Sequence, residues 1–191
     1  MQILLIKTKM KTKIKIILSI FLLSLSGELS ANDLSVKANI ESGNYDFALE
    51  VYLNSNDKNA KIFYYTDGIG RFDTLKEFTP NNPILIKKDT TLNYYTMNDI
   101  NNSTKIAESN YTFSYPKNLE ISHKENTIFI TNNSEKTLNI GYFKIESKLL
   151  NYEISKNTFL EKGQTFTLKY TPKNEDTLEL FTPKGEKISS F

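Results

Sequence analysis

The sequence predicts an all-β fold, and three observations predict it. Apolar and aromatic residues alternate with polar ones at a period of two after residue 31, and no stretch there sustains a helical period. Clusters of Asn, Asp, Gly, Ser and Pro separate the alternating runs at short intervals. Cysteine is absent, so any small domain must be held by its packing alone, which suits a sandwich of sheets.

The first 31 residues read as a leader. Lys7, Lys9, Lys11, Lys13 and Lys15 form a positive segment, and Ile16 to Leu25 form an apolar core. Ser30 and Ala31 are small, so a signal peptidase would cut before Asn32. The apolar core falls well short of the ~20 residues that a spanning helix needs. A cleaved leader implies export, to the periplasm or beyond, with no membrane span left in the mature chain.

Charge follows from this cut. The leader holds five of the 24 basic residues and one of the 22 acidic ones, which leaves 19 against 21. The mature part has none of the strong positive field that nucleic acid or an anionic membrane surface would select. The abundance of Asn, Lys and Ile has the look of a low-GC bacterial genome.

The elements follow in two series. In the first, Phe47, Leu49, Val51 and Leu53 share one strand face, and Ile62, Tyr64 and Thr66 share the next. Ile84 and Ile86, then Leu92, Tyr94 and Thr96, then Tyr111, Phe113 and Tyr115 continue it. The run from Ala60 into Asp67-Gly68 is a strand meeting a hairpin turn. Pro116 ends this series. In the second, Leu119 and Ile121, Ile128 and Ile130, and Leu138 and Ile140 alternate, and then the parity shifts at Phe143 and Ile145. Gly141 is a natural place for a bulge there. Phe159 and Leu160, Phe166 to Tyr170, Leu178 and Leu180, and Ile188 complete it, with turns at Gly163 and Gly185. Phe191 closes the second sandwich. As a terminal residue it also suits an outer-membrane barrel, but Lys144, Lys169 and Glu179 interrupt the candidate lipid faces.

The Ala60–Gly68 run, with Ser42-Gly43-Asn44-Tyr45, Phe47 to Leu53, Asn82 to Ile86, Asp89 to Leu92 and Tyr111 to Tyr115, resembles the sandwich domain at the C-terminus of chitobiases and β-hexosaminidases. The match spans about Glu41 to Tyr115. It departs from that family after Gly68, where Ile69-Gly70-Arg71-Phe72 replaces a short Pro-containing turn. The second series resembles the lamin-tail domain over about Asn126 to Phe191. The residues that carry this are Thr131-Asn132-Asn133-Ser134, Leu138 to Ile145, the Glu161–Gln164 turn and Asp176 to Leu180. Together these resemblances imply a leader (1–31) and two tandem immunoglobulin-like β-sandwiches, over 32–115 and 116–191. In the glycosidases the catalytic carboxylates belong to a separate barrel, so the resemblance implies an appendage without its enzyme.

Chemistry is limited by what the chain lacks. One histidine, His123, and no cysteine cannot assemble a zinc site. A catalytic triad would need His123, which is read as a solvent-facing strand end, and no glycine-framed serine elbow accompanies it. Asp67 and Asp73 read as solvated turn residues, with neither the spacing of a calcium loop nor a cleft for paired-acid catalysis. No catalytic residue, metal or cofactor is expected.

Contacts are expected from aromatics. Phe63 and Tyr65 oppose Ile62 and Tyr64, and Tyr95 opposes Tyr94, so these strands are apolar on both faces. Tyr65 and Tyr95 are either covered parts of a central strand or a platform for a sugar ring or a partner's side chain. Arg71 and Phe72 form a contact-like pair at the hairpin tip. Asn101 and Asn110 each head an Asn-x-Ser/Thr acceptor for N-linked glycan. The functional expectation is an exported, non-enzymatic binding or scaffolding protein of the bacterial envelope. It would recognise a protein partner through loops or strand edges. The alternatives are a carbohydrate- or peptidoglycan-binding module and, third, a small hydrolase.

Overall fold

In a computed structural model of the chain, the described residues are 33–66, 75–98, 103–171 and 176–191. The leader, Asp67, Arg71, Phe72, Asp73 and Asn101 lie outside them. Residues Leu34–Phe191 form one compact unit. The fold is all-β: the described residues form strands and no helix. Among them, no helix is long and apolar enough to cross a membrane.

The first series contains β1 (Val36–Ala38), β2 (Gly43–Tyr45), β3 (Leu49–Val51), β4 (Leu53–Ser55), β5 (Lys61–Thr66), β6 (Lys76–Glu77), β7 (Ile84–Ile86), β8 (Thr90–Met97) and β9 (Ala107–Phe113). A five-stranded sheet runs β2-β9-β8-β5-β6, and two smaller ladders pair β1 with β4 and β3 with β7. All are antiparallel except β2 on β9, which is parallel. The second series contains β10 (Leu119–Lys124), β11 (Thr127–Asn132), β12 (Leu138–Asn139), β13 (Lys144–Glu146), β14 (Asn151–Glu153), β15 (Phe159–Leu160), β16 (Thr165–Lys169), β17 (Glu179–Phe181) and β18 (Lys187–Ser190). Its ladders are β10-β11-β16, β12-β15 and β14-β13-β17-β18.

Period-two alternation explains which face is inward. On β8, Leu92, Tyr94 and Thr96 are buried beside Ile62 of β5 and Ser109, Tyr111 and Phe113 of β9. Burial of each such aliphatic side chain contributes ~1.5–3 kcal/mol. The tyrosines bury their rings and still satisfy their hydroxyls. Tyr111 donates to the Ile40 carbonyl at 2.9 Å, Tyr115 donates to the Lys87 carbonyl at 2.9 Å, and Tyr94 lies 3.1 Å from Ser109 Oγ. The core runs on into the second series, where Tyr115 meets Phe143 edge-on with ring centroids 5.8 Å apart.

Several expectations are corrected. Phe47 shares the parity of Leu49 and Val51 but is 38% exposed, because it precedes β3 at a bend. The parity shift at Gly141 is a turn between β12 and β13, closed by the Phe143 N–H donating to the Ile140 carbonyl at 3.2 Å. Gly141 is required there for closeness. A Cβ would stand 3.0 Å from Asn157 N and 3.1 Å from Lys156 Cα, so two turns press backbone against backbone. His123 is half-buried rather than solvent-facing. It follows Leu119 and Ile121 on the inward face of β10, and its ring lies 6.4 Å from that of Phe191. Phe191 closes a ladder through its backbone, exchanging bonds of 3.0 and 2.9 Å with Leu178, while its side chain is exposed.

Candidate functional site

The close approach at Gly141 positions a cleft. The Gly141-Tyr142 turn and the Lys156-Asn157 turn carry two of the three non-glycine residues with positive φ among those described, Tyr142 at 67° and Asn157 at 58°. Asn tolerates this region, but Tyr does not favour it, and such backbone strain gathers where surroundings over-determine a residue. Tyr142 is held by its hydroxyl, which donates to Glu50 Oε1 at 2.9 Å. Lys156 Nζ donates to the same carboxylate at 2.9 and 3.2 Å. Lys87 Nζ sits 4.5 Å from the Tyr142 ring centroid, a cation–π contact, and pairs with Glu153 at 2.7 Å. With Lys184 on Asp89 at 2.9 Å, these bonds tie the first series to the second along one seam.

The cleft has a volume of about 240 Å³, with Phe47, Glu50, Tyr142, Lys156 and Phe159 among its walls. Phe47 and Phe159 are two of the six exposed large apolar side chains among the described residues. Alternation assigns Phe47 to a core with Leu49 and Val51, whereas Phe159 stands next to buried Leu160 and takes the opposite, outward face. The charged floor is electrostatically set. The ammonium of Lys156, then the hydroxyl of Tyr142, hold the Glu50 carboxyl below its ordinary value. Burial, then the Glu50 carboxylate, pushes the Tyr142 phenol up to about 12. Asp89 is lowered in the same way by Lys184 and then by the Phe113 N–H, which donates to it at 2.9 Å.

A lowered carboxylate binds fewer protons folded than unfolded, so its contribution is complete above the ordinary carboxylate range of about 4. It is lost as pH falls through the folded value. The urea midpoint is therefore expected to fall between pH 7 and pH 3. The double variant Glu50→Gln/Asp89→Asn should start lower at pH 7 and approach wild type at pH 3. Parallel curves for the two proteins would show that the seam carboxylates contribute nothing.

The expected contact residues lie elsewhere. Tyr65 is on β5 and Tyr95 on β8, both half-buried on the outer face of the five-stranded sheet. Tyr95 stacks on Phe63 with ring centroids 5.4 Å apart and planes 24° apart. Asn93 stands opposite Tyr65 in the ladder and is 7% exposed, yet its Nδ2 has no hydrogen-bond partner. A second hollow of about 240 Å³ borders Tyr65 with Lys76 and the exposed Leu85. Asn110 is exposed on β9, but its Oδ1 accepts from Thr91 Oγ1 at 2.7 Å and its Nδ2 donates to Glu108 Oε1 at 2.7 Å. A glycan on Nδ2 would replace one of its two hydrogens, beside the bond to Glu108, and leave Oδ1 to accept from Thr91. His123 Nε2 is buried without a partner. Among the described residues, no group of three His, Cys, Asp or Glu side chains is placed to hold a metal ion.

No family model and no curated protein matches the chain. Among solved structures, the YadV chaperone aligns at 11% identity and a TM-score of 0.28, over 82% of this chain and 96% of that one. The CupB2 chaperone of Pseudomonas aeruginosa aligns at 7% identity and a TM-score of 0.28, over 79% and 96%. The SGBP-B protein of the Bacteroides ovatus mixed-linkage glucan utilization locus, solved with a mixed-linkage heptasaccharide, aligns at 10% identity and a TM-score of 0.24, over 82% and 46%. Similarity this slight leaves function to be argued from the residues.

Proposed function

We propose that this chain is an exported, non-enzymatic binding or scaffolding protein of the bacterial cell envelope, and that its partner is a protein. The observation that carries the reading is the seam cleft, where exposed Phe47 and Phe159 stand over the Glu50–Lys156 pair. Exposed aromatics beside a hollow of side-chain size suit an anchor residue from a partner, and a fully desolvated anchor is what concentrates binding energy at protein interfaces. The ionic seam fixes the walls in advance, which lowers the ordering cost of association. Export rests on the leader, with cleavage before Asn32 placing the mature chain in the periplasm or outside the cell.

The test is a photo-reactive phenylalanine at position 159, irradiated in the native envelope. A discrete protein adduct is expected from that site, lost in the Phe47→Ala background and absent when the probe replaces exposed Leu149. Equal adducts from positions 149 and 159 would reject the reading.

A further inference from the structure

The cleft leaves the Asn110-Tyr111-Thr112 acceptor pattern unused, and the fold gives that pattern a definite setting. β9 alternates strictly: Ser109, Tyr111 and Phe113 are buried, while Glu108, Asn110 and Thr112 are exposed on its outer face. Period two thus puts three groups in one solvent-facing row, namely the acceptor amide, the hydroxyl two residues after it and a carboxylate two residues before it. The partners of Asn110 leave one position of its amide open. Oδ1 accepts from Thr91 Oγ1 at 2.7 Å, and one hydrogen of Nδ2 goes to Glu108 Oε1 at 2.7 Å. An amide nitrogen carries two hydrogens, so the second can be substituted without loss of either bond. Asn132-Asn133-Ser134 repeats the pattern at the end of β11 and makes the comparison. Asn132 is fully buried and commits both Nδ2 hydrogens, to the carbonyls of Lys136 at 2.7 Å and Leu160 at 2.9 Å. The fold has no room for a sugar on Asn132 and has room for one on Asn110.

We infer that Asn110 is the attachment site of an N-linked oligosaccharide, transferred as the exported chain emerges and before β9 is closed into its sheet. The donor is an oligosaccharide carried on a lipid diphosphate and used by a membrane transferase. A bond forms between Asn110 Nδ2 and the anomeric carbon, and the bond from that carbon to the diphosphate oxygen breaks. The lipid diphosphate leaves with the electron pair, and Nδ2 gives up one proton. The Thr112 hydroxyl is the group that marks the acceptor. In the folded protein it donates to the Gly43 carbonyl at 3.3 Å and lies 3.4 Å from Asn44 Oδ1, and β9 has β2 on one side and β8 on the other. The Asn110 N–H is also taken, by Ser42 Oγ at 2.9 Å. A strand paired on both sides cannot fold into a transferase, which sets the order: transfer first, closure after. The site shares no residue with the cleft, and it rests on the export part of the proposed function.

Tryptic mapping of the protein purified from its native envelope tests it. Peptide Ile106–Lys117 contains Asn110 and no other asparagine. Most molecules should carry it with the added mass of one oligosaccharide, and fragmentation should place the first sugar on Asn110. Peptide Glu125–Lys136, which contains Asn132, should be unmodified. Thr112→Val keeps the acceptor asparagine and the size of its neighbour but removes the hydroxyl, so the adduct on Ile106–Lys117 should be lost. The N-terminus of the same preparation reads export separately. A chain cut at Asn32 with Ile106–Lys117 unmodified overturns this inference and leaves the protein-binding reading standing. A chain that keeps its leader and lacks the adduct overturns both the export reading and this inference. An adduct that persists in Thr112→Val, or one on Asn132, equally overturns it, because neither the hydroxyl nor the fold would then select the site.

Discussion

Phe143→Ala should lower the free energy of unfolding by about 3–5 kcal/mol, the range for a large aromatic removed from a core that cannot collapse. Phe143 is fully buried. Its backbone is fixed on both sides, by the Ile140 carbonyl that its N–H reaches at 3.2 Å and by the Ile154 N–H that its own carbonyl accepts at 2.8 Å. The turn before it cannot slide, because Gly141 is already pressed on Asn157 and Lys156. The ring therefore leaves a cavity at the point where it meets Tyr115. For a chain of this length each kcal/mol moves the melting temperature by ~2–4 °C, so a fall of about 10 °C is expected. Urea unfolding followed by near- and far-UV circular dichroism reads both the loss and its distribution. A loss under about 1 kcal/mol would mean that the junction repacks and that the seam is softer than its geometry implies.

Asn132→Ala should cost about 2–4 kcal/mol, although it removes only a small amide. Asn132 is fully buried at the end of β11. Its Nδ2 donates to the Lys136 carbonyl at 2.7 Å and to the Leu160 carbonyl at 2.9 Å. Its Oδ1 accepts from the Ser134 N–H at 2.9 Å and from Ser134 Oγ at 2.7 Å. One side chain thus folds the 133–136 loop and pins it to β15. Truncation strands acceptors and donors that lie too deep for water to replace all of them. The neighbour supplies the control. Asn133 is exposed and only reaches Glu120 at 3.0 Å, so Asn133→Ala should stay within about 0.5 kcal/mol of wild type. Equal effects at the two positions would refute the assignment.

The contrast between these two asparagines shows what could be read from the sequence. Alternation located Leu92, Tyr94, Ile128 and Ile130 in the core because the period of a strand is a local property of the backbone. It marked the shift at Gly141 for the same reason, but not its cause, since the Asn157 backbone that requires a glycine is remote in sequence. Phe47 carried core parity and ended at the cleft, because whether a strand-end residue is covered depends on how the two series meet, while Phe159 faces outward as its buried neighbour Leu160 requires. Tyr65 and Tyr95 were legible as aromatics on a second face; that Asn93 beside them lacks an acceptor was not. An Asn reads alike as loop, staple or glycan acceptor until its partners are known.

The parallel pairing of β2 with β9 has a consequence for how the chain is made. Gly43, Asn44 and Tyr45 lie against Tyr111, Thr112 and Phe113, so the first strand of the large sheet waits for the last. During synthesis, antiparallel neighbours such as β5 and β8 can zip as they emerge, while β2 remains an open edge. Such delayed long-range closure slows folding and leaves an edge that other chains can capture. A chain built in this order keeps that edge unpaired until residue 113 has emerged, so the large sheet is complete only at its last strand.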